Sequence, residues 1–193
     1  MKKYLVCMTG ASGAVYGIRV MRALVESGCE VHAIVSRWGE RVVMEETGRA
    51  FAAWADTVGV AREHIYDADD LAAPTASGSF RLDGAVIVPC SMNSVGAIAS
   101  GVCGNLIHRA GLVCLKERRP LILVPRECPF SLIDLKNMTT LATAGATILP
   151  ASPSFYHKPK TIDDLIDFIA GKILDCLGIE HALFKRWHTL RVF

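Results

Sequence analysis

The sequence predicts a three-layer α/β fold, in which helices cover both faces of a Rossmann-like, doubly wound, mainly parallel sheet. Three observations lead to this prediction. Short apolar runs alternate with helical patterns, several runs end in small or polar residues, and no interior linker, repeat or low-complexity segment breaks the chain. We therefore expect one domain over residues 1–193, with the C-terminal tail, residues 179–193, closing a site or an interface.

The composition narrows the class of protein. Of the 193 residues, 51% are hydrophobic and 21% are charged, which is typical of a globular domain with a sizeable core. The formal net charge is +2 and no basic stripe interleaves with aromatic residues, so nothing favours a nucleic-acid partner. No segment reaches the roughly 18 apolar residues of a membrane span. The apolar excess suggests instead that helix faces are buried between subunits.

The cysteines indicate a reducing compartment. There are 7 of them, an odd number, and no C-x-x-C pair occurs. Most lie inside apolar runs, where a free thiol behaves as a small hydrophobic group. We therefore expect a cytoplasmic protein without a disulfide framework. Because paired ligand spacing is missing, we expect no metal site.

The predicted elements follow one another in a regular order. Apolar runs predict five strands, which are Tyr4–Met8, Glu30–Ser36, Gly84–Val88, Leu121–Val124 and Ala146–Leu149. Helical periodicity and caps predict six helices, which are Ala14–Glu26, Trp38–Thr47, one from Val95, Asn105–Arg118, Ser131–Ala144 and Thr161–Leu177. Residues 48–72 are the least regular and read as mixed helix and loop with a short edge strand at His64–Tyr66.

The turn after the first strand is the strongest local signal. Gly10 and Gly13 would let the backbone approach an anion, the free amides of the next helix would point at it, and Ser12 would add a hydroxyl. A tight turn without a ligand is the alternative, because the spacing is not G-x-G-x-x-G. The second strand ends in Ser36, without the acidic residue that a dinucleotide site uses, so a mononucleotide is favoured. Ser36 either donates to a phosphate or caps the next helix.

Other strand ends carry polar groups as well. Cys90–Ser94 follows the third predicted strand and Arg126–Glu127 follows the fourth. Since ligands of doubly wound sheets bind at the carboxyl ends of the strands, we expect these residues to meet the glycine turn and Ser36 at one edge. The loop Ala73–Phe80, rich in small and hydroxyl residues, is either a ligand lid or a plain linker.

Several cations accompany helices that are otherwise apolar, namely Arg109, Lys116, Arg126 and Lys172. Arg109 and Lys116 are seven residues apart, so they share a helix face. Such cations are expected where a phosphate is held or a phosphate leaving group is stabilised, and a pocketed Glu127 would carry a proton. Each has an ordinary alternative, since Lys116 would suit a solvated helix end, Arg126 would pair with Glu127, and Glu46 would face water.

Five stretches carry a resemblance to a known family. They are Thr9–Ala14, Ala76–Ser79, Leu115–Leu121, Val124–Glu127 and Phe155–Pro159. Together they resemble the flavin prenyltransferases, the UbiX-like proteins formerly called aromatic acid decarboxylases. The Lys-Glu-Arg-Arg-Pro and Phe-Tyr-His-x-Pro runs are specific, whereas the glycine turn alone is not. The resemblance covers nearly the whole chain and is weakest over residues 48–72.

The resemblance implies a particular reaction. The dimethylallyl group of dimethylallyl monophosphate would be joined to N5 and C6 of reduced FMN, without a metal. The product, prenylated FMN, would pass to a UbiD-type decarboxylase serving ubiquinone biosynthesis or aromatic acid decarboxylation. The family also builds trimers into a dodecamer with each site at a subunit junction, which would account for the apolar excess.

The resemblance further assigns roles to residues. The catalytic residues would be Ser12, Glu46, Lys116 and Glu127. FMN would be held by Gly10, Ala11, Ser12, Ser36, Ser91, Met92, Asn93, Ser94 and Arg126. The donor phosphate would be held by Arg109, Lys116, Tyr156 and Lys172, and Trp187 would close the site.

Two positions depart from the family pattern. Lys172 stands where the family often has arginine, so the charge is kept but the bidentate fork is lost. Asn93 looks more like the related flavin-dependent cysteine decarboxylases, although no histidine stands at residues 77–80, the stretch near which those enzymes carry one. A cysteine-type decarboxylase and a non-catalytic flavin-carrying subunit of a hydroxyarylic-acid decarboxylase are the alternatives.

Overall fold

A single parallel sheet forms the middle layer of the computed structural model, which describes residues 1–187. Its strands are β1 (Lys3–Met8), β2 (Glu30–Val35), β3 (Ile65–Asp67), β4 (Gly84–Cys90), β5 (Leu121–Pro125) and β6 (Thr147–Ile148). Their order across the sheet is β3-β2-β1-β4-β5-β6, and every neighbouring pair is parallel. The predicted fold class is confirmed, and the sheet is parallel throughout rather than mainly so.

Seven α-helices connect the strands within the described residues. They are α1 (Ala14–Glu26), α2 (Arg37–Thr47), α3 (Phe51–Val58), α4 (Met92–Ala99), α5 (Leu106–Lys116), α6 (Leu132–Thr143) and α7 (Ile162–Cys176), with short 3₁₀ turns at Arg62–His64 and Pro74–Ala76. α3 lies in the stretch predicted as mixed helix and loop, and sequence patterns did not give its bounds, because its N-cap, Ala50, has no capping side chain and its first turn has no acidic residue. In residues 1–187 the longest helix, α7, has 15 residues, and none could cross a membrane.

The core has two halves, one on each face of the sheet. Alternate side chains of β1 divide between them, with Tyr4, Val6 and Met8 on one face and Leu5 and Cys7 on the other. Helices α1, α2, α3 and α7 cover the first face, and α4, α5 and α6 cover the second. Both faces of the sheet are therefore buried, as an all-parallel sheet requires.

The order of the strands reverses between β1 and β4, which are hydrogen-bonded neighbours in the middle of the sheet. In doubly wound sheets this topological switch point opens a crevice beyond the carboxyl ends of the two strands, and ligands bind there. Residues 9–13 leave β1 at this crevice and residues 91–94 follow β4 into it. We call these two segments the switch-point turns.

Candidate active site

Thr9 ties the two switch-point turns together. Its side chain is buried, and Oγ1 donates to the carbonyl oxygen of Pro89 at 3.0 Å while accepting a hydrogen bond from the amide of Ser91 at 2.7 Å. The Thr9 amide donates to the same Pro89 carbonyl at 3.1 Å. These bonds fix the position of residue 91 relative to the glycine turn. Sequence analysis assigned no role to Thr9, because its partners lie about 80 residues away.

The glycines of the first turn are needed for packing and backbone geometry. A Cβ on Gly10 would come within 2.6 Å of the Trp38 Cβ, so the first turn of α2 lies directly against this residue. Gly13 has a φ of 108°, in the left-handed region that other residues rarely adopt. Both requirements would hold for a tight turn alone, so the glycines by themselves do not demonstrate a ligand.

Glu46 occupies the amides at the start of α1. Its carboxylate accepts hydrogen bonds from the amide of Gly13 at 3.0 Å and from the amide of Ala14 at 2.8 Å. Although Glu46 is exposed, it is therefore anchored beside Ser12 rather than simply facing water. The amides that the sequence pattern predicts to face a phosphate are bound to a carboxylate of the same chain. A proton acceptor thus stands at the switch point, held by a helix N-terminus.

The second switch-point turn presents hydroxyl groups. Ser91 caps α4, its Oγ accepting from the Ser94 amide at 3.3 Å and lying 3.2 Å from the Ser94 Oγ. Met92 and Asn93 occupy the first turn of α4, where backbone amides have no partner within the helix. The helix begins here rather than at Val95, because the Ser91 cap starts it. Four of the predicted flavin-binding residues therefore form one helix N-terminus.

His108, on α5, contacts this turn through the Ser94 hydroxyl. It is buried on α5, and its Nε2 lies 3.3 Å from the Ser94 Oγ, while its Nδ1 has no partner among residues 1–187. Burial lowers the pKa of His108 below its usual value, so the ring is neutral near pH 7. Sequence analysis missed this residue because a single histidine on an apolar helix gives no pattern.

Ser36, Arg126 and Glu127 complete the carboxyl edge of the sheet. Ser36 caps α2, with its Oγ accepting from the Gly39 amide at 3.0 Å, so the capping role is confirmed and a phosphate contact stays a prediction. Arg126 and Glu127 follow β5 and are exposed. Within residues 1–187 they do not pair with each other, since the Glu127 Oε1 accepts from the Cys128 amide at 3.0 Å and the Arg126 side chain has no ion-pair partner. The Arg126 guanidinium is therefore available for an anion.

The α5 cations, Arg109 and Lys116, share a helix face as predicted, and that face meets residues 76–80. The Arg109 Nε donates to the Ala76 carbonyl at 2.9 Å, and a Cβ on Gly78 would lie 3.1 Å from the Lys116 Nζ. Arg119 clamps the same loop by donating to the carbonyls of Gly78 and Phe80, at 2.6 and 2.7 Å. The Ala73–Phe80 loop is therefore fastened to α5.

Lys116 lies far from the switch-point turns of its own chain. It ends α5, which runs against the strands and leads directly towards Leu121, the first residue of β5. Lys116 is therefore at the amino-terminal edge of the sheet, and β4 is seven residues or about 20 Å long. Its exposed ammonium pairs with the Glu117 Oε1 at 2.9 Å, as a solvated helix end would. One chain does not bring Lys116 to Ser12 and Glu46.

A third group, which we call the tail cluster, contains Tyr156, Lys172 and Trp187. The Tyr156 ring packs edge-on against Trp187, with centroids 5.2 Å apart, and Trp187 itself is exposed. The Lys172 Nζ lies 3.6 Å from Asp175, whose other partners include Arg186 at 2.7 Å. The remaining tail residues, 188–193, lie outside the described part of the chain.

Asp175 is charged despite partial burial. Burial raises the pKa of its carboxyl, but hydrogen bonds and charge from Arg186 and His181 outweigh this, and the net pKa is lowered. The carboxylate therefore holds Lys172 and Arg186 near one point. A phosphate that bound Lys172 would compete with Asp175 for the ammonium.

The donor groups at the carboxyl edge fit a phosphorylated mononucleotide. They comprise the hydroxyls of Ser12, Ser36, Ser91 and Ser94, the first amides of α4 and the guanidinium of Arg126. Neutral hydroxyl and amide donors with one cation suit a phosphate and a polyol chain. β2 ends at Val35, and Ser36 follows it where a dinucleotide site would have a carboxylate for the ribose. These groups therefore fit FMN better than a dinucleotide.

Comparisons with known proteins agree with this interpretation. The Flavoprotein family model matches residues 1–174. The flavin prenyltransferase UbiX of Aquifex aeolicus is 45% identical over 189 residues, covering 97% of this chain and 99% of the relative. The protein of the same name from Pseudomonas aeruginosa is 43% identical, covering 96% of this chain and 94% of the relative.

Solved structures give the same family. AnUbiX (PadA1), in complex with FMN and dimethylallyl pyrophosphate, superposes with a TM-score of 0.92 at 43% identity, covering 96% of this chain and 97% of that chain. A dodecameric FMN-dependent UbiX-like decarboxylase from Escherichia coli O157:H7 has a TM-score of 0.90 at 39% identity, covering 96% and 98%. The peptidyl-cysteine decarboxylase EpiD, at 18% identity and a TM-score of 0.63, shares only the fold. The chain therefore belongs to the UbiX family of flavin prenyltransferases.

Proposed function

We propose that this flavin prenyltransferase joins the dimethylallyl group of dimethylallyl monophosphate to N5 and C6 of reduced FMN, giving prenylated FMN. The observation that carries the proposal is the set of hydroxyls, amides and one guanidinium at the β1–β4 switch point, beside an anchored carboxylate. The relatives' names and the FMN and dimethylallyl pyrophosphate in the AnUbiX complex support it. Whether the donor is a monophosphate or a pyrophosphate is decided by the experiment below.

Bound FMN would supply an electron-rich ring as the nucleophile. The chain's own residues would bind the flavin, carry protons and stabilise the leaving phosphate. The Ser91–Ser94 turn, Ser36 and Arg126 would hold the flavin phosphate and side chain. Glu46, held by two amides and beside Ser12, is placed to accept a proton at the reacting centre, and Glu127 would be the second proton carrier. The cations would stabilise the phosphate that leaves when the allylic C–O bond breaks.

We further propose that the site is completed by a neighbouring copy of this chain. Lys116 lies at the opposite edge of the sheet from the switch-point turns, so its role at the donor phosphate requires another subunit. Exposed apolar side chains on α6, which are Leu132, Ile133 and Leu135, would be covered in such an assembly. We expect trimers that assemble into a dodecamer, an assembly for which the dodecameric relative gives a precedent.

The expected consumer of the product is a UbiD-type decarboxylase, and we expect both proteins to act in the cytoplasm. The thiols support a reducing compartment, since all seven cysteines are free. Burial raises the pKa of Cys90 to about 12 and that of Cys114 to about 11, so these thiols are unreactive near neutral pH.

Mass spectrometry of the flavin tests the proposal directly. The protein is incubated without oxygen with reduced FMN and either dimethylallyl monophosphate or dimethylallyl pyrophosphate. We expect flavin that is heavier by one isoprene unit with the monophosphate. Flavin that binds tightly but never changes mass with either donor would support the flavin-carrying alternative. Carbon dioxide released from a C-terminal cysteine peptide would support a cysteine-type decarboxylase instead.

A further inference from the structure

Three side chains with metal-ligating atoms meet at the amino-terminal edge of the sheet. Glu30 begins β2, and His32, two residues further on, projects from the same side of the strand. The β2–β3 register pairs Ala33 with Ile65, which places His64 beside His32. One ligand atom from each of the three residues lies within 4.8 Å of the other two. Ser36, at the carboxyl edge, lies four residues beyond His32, about 13 Å along the strand.

The distances in this cluster are close to those of a metal site. The Glu30 Oε1 lies 2.8 Å from the His32 Nε2 and 3.9 Å from the His64 Nε2. Ligand atoms held at about 2.0–2.1 Å around a tetrahedral Zn²⁺ are roughly 3.4 Å apart, so shifts below about 1 Å would suffice. We propose that Glu30, His32 and His64 bind one divalent transition-metal ion of the Zn²⁺ class, with water as the fourth ligand.

His32 is already oriented as a metal ligand. Its Nδ1 lies 2.9 Å from the Tyr66 hydroxyl, and its ring stacks on Tyr66 and meets the edge of Phe80. A ligating histidine commonly uses its second ring nitrogen in this way, which fixes the ring and the tautomer. When Nε2 binds the metal, the ring proton is on Nδ1, and Nδ1–H donates a hydrogen bond to the Tyr66 hydroxyl oxygen.

Lys3 is the competitor for this site. Its Nζ lies 2.8 Å from the same Glu30 Oε1, so an ammonium partly fills the place of the metal. The hydrogen bond from Lys3 is also the main reason that the pKa of Glu30 is lowered. The Lys3 side chain is 41% exposed, which lets it turn into water when a metal binds. If the cluster is a metal site, removal of the Lys3 charge should tighten metal binding. If the cluster is only a set of ion pairs, the same change should weaken it and create no metal affinity.

The donor set also selects among metals. Two imidazoles and one carboxylate suit Zn²⁺, Co²⁺ or Ni²⁺, whereas Mg²⁺ and Ca²⁺ prefer oxygen ligands alone. The proposed site is remote from the switch-point turns of its own chain, and none of its three ligands is assigned a role in prenyl transfer, for which no metal is expected. It would join the amino-terminal ends of β2 and β3, the short edge strand of the sheet.

Calorimetric titration of the full, metal-free chain with ZnCl₂ near neutral pH tests the proposal. We expect one ion per chain, binding at least about 100-fold more weakly after His64→Ala or Glu30→Gln and about tenfold more weakly after Tyr66→Phe. Lys3→Met should bind more tightly than the unaltered protein. His181→Ala is the matched control, because His181 and Asp175 form another histidine–carboxylate pair at 3.1 Å. It should leave the tight site unchanged.

Two results would overturn the proposal. One is the absence of a one-to-one Zn²⁺ site in the unaltered protein. The other is a site whose affinity is unaffected by both His64→Ala and Glu30→Gln. Circular dichroism checks that each variant is folded, and the intense visible absorption of tetrahedral Co²⁺ gives a second readout. If His64→Ala does not fold, the opposite shifts expected for Glu30→Gln and Lys3→Met decide the question.

Discussion

The two edges of the parallel sheet are organised in different ways. At the carboxyl edge, one chain brings together the β1 and β4 turns through Thr9 and places Glu46 on the amides of α1. At the amino-terminal edge, Lys116 pairs with its neighbour Glu117. A single chain thus preorganises the flavin half of the site, whereas Lys116, which is assigned to the donor phosphate, lies at the opposite edge of the sheet. We infer that flavin binding depends mainly on the fold of one chain, whereas transfer of the prenyl group depends on the assembly of several chains.

Loss of Lys116 should have the largest effect on turnover. We expect Lys116→Met to lower kcat by about 10²–10³-fold, because one charge opposite the leaving phosphate is lost. FMN affinity should stay nearly the same, because Lys116 is assigned to the donor phosphate and not to the flavin. Quantified flavin product and FMN titration measure the two effects separately. Lys2→Met, another exposed lysine, is the control, and full activity in Lys116→Met would remove this residue from the site.

Thr9→Val should lower both the stability of the protein and its affinity for FMN. The substitution leaves the partly buried Ser91 amide without its acceptor, so we expect the free energy of unfolding to fall by about 1–3 kcal/mol. FMN should also bind more weakly, because the two turns are no longer tied. Urea unfolding and FMN titration measure these changes, and Thr9→Ser, which retains the hydroxyl, should restore both. A stable Thr9→Val protein with normal FMN affinity would show that the bridge is unimportant.

The buried histidines should make stability depend on pH. Burial lowers the pKa of His108 below the ordinary 6.5, so the unfolded chain takes up a proton that the folded chain resists. The stabilising contribution is complete above pH 6.5 and is lost as the pH falls below it. His108→Gln should reduce the slope of unfolding free energy against pH by at most about 1.4 kcal/mol per pH unit. Urea unfolding between pH 5 and 7.5 gives the slope, and an unchanged slope would exclude His108 as its source.

Lys172→Arg should have the smallest effect. Arginine would restore the bidentate fork that the family often has here, and we expect a KM for the donor a few-fold lower with little change in kcat. Steady-state kinetics with dimethylallyl monophosphate measures this split. Lys160→Arg, an exposed lysine outside the assigned set, serves as the control. A higher KM in Lys172→Arg would mean that Asp175 holds the arginine away from the phosphate.

The sequence predicts the sheet well because the evidence for it is local. The apolar run of β1, the glycines after it and the Ser91 region all identify strand ends without knowledge of the fold. The prediction fails where the signal is weak, as in α3, or where the contact is distant. Glu46 reaches the Gly13 amide from 33 residues away, and no pattern encodes that approach. Nor does spacing reveal that Lys116 points away from the flavin half of its own chain.

The central claim is that each site combines the switch-point turns of one chain with Lys116 of another. Coexpression of Glu46→Gln and Lys116→Met chains, each inactive when expressed alone, tests this claim most directly. Random mixing should restore about a quarter of the sites, each with an intact Glu46 from one chain and an intact Lys116 from its neighbour. Mixed oligomers, verified by native mass spectrometry, that form no prenylated FMN at all would contradict the shared site.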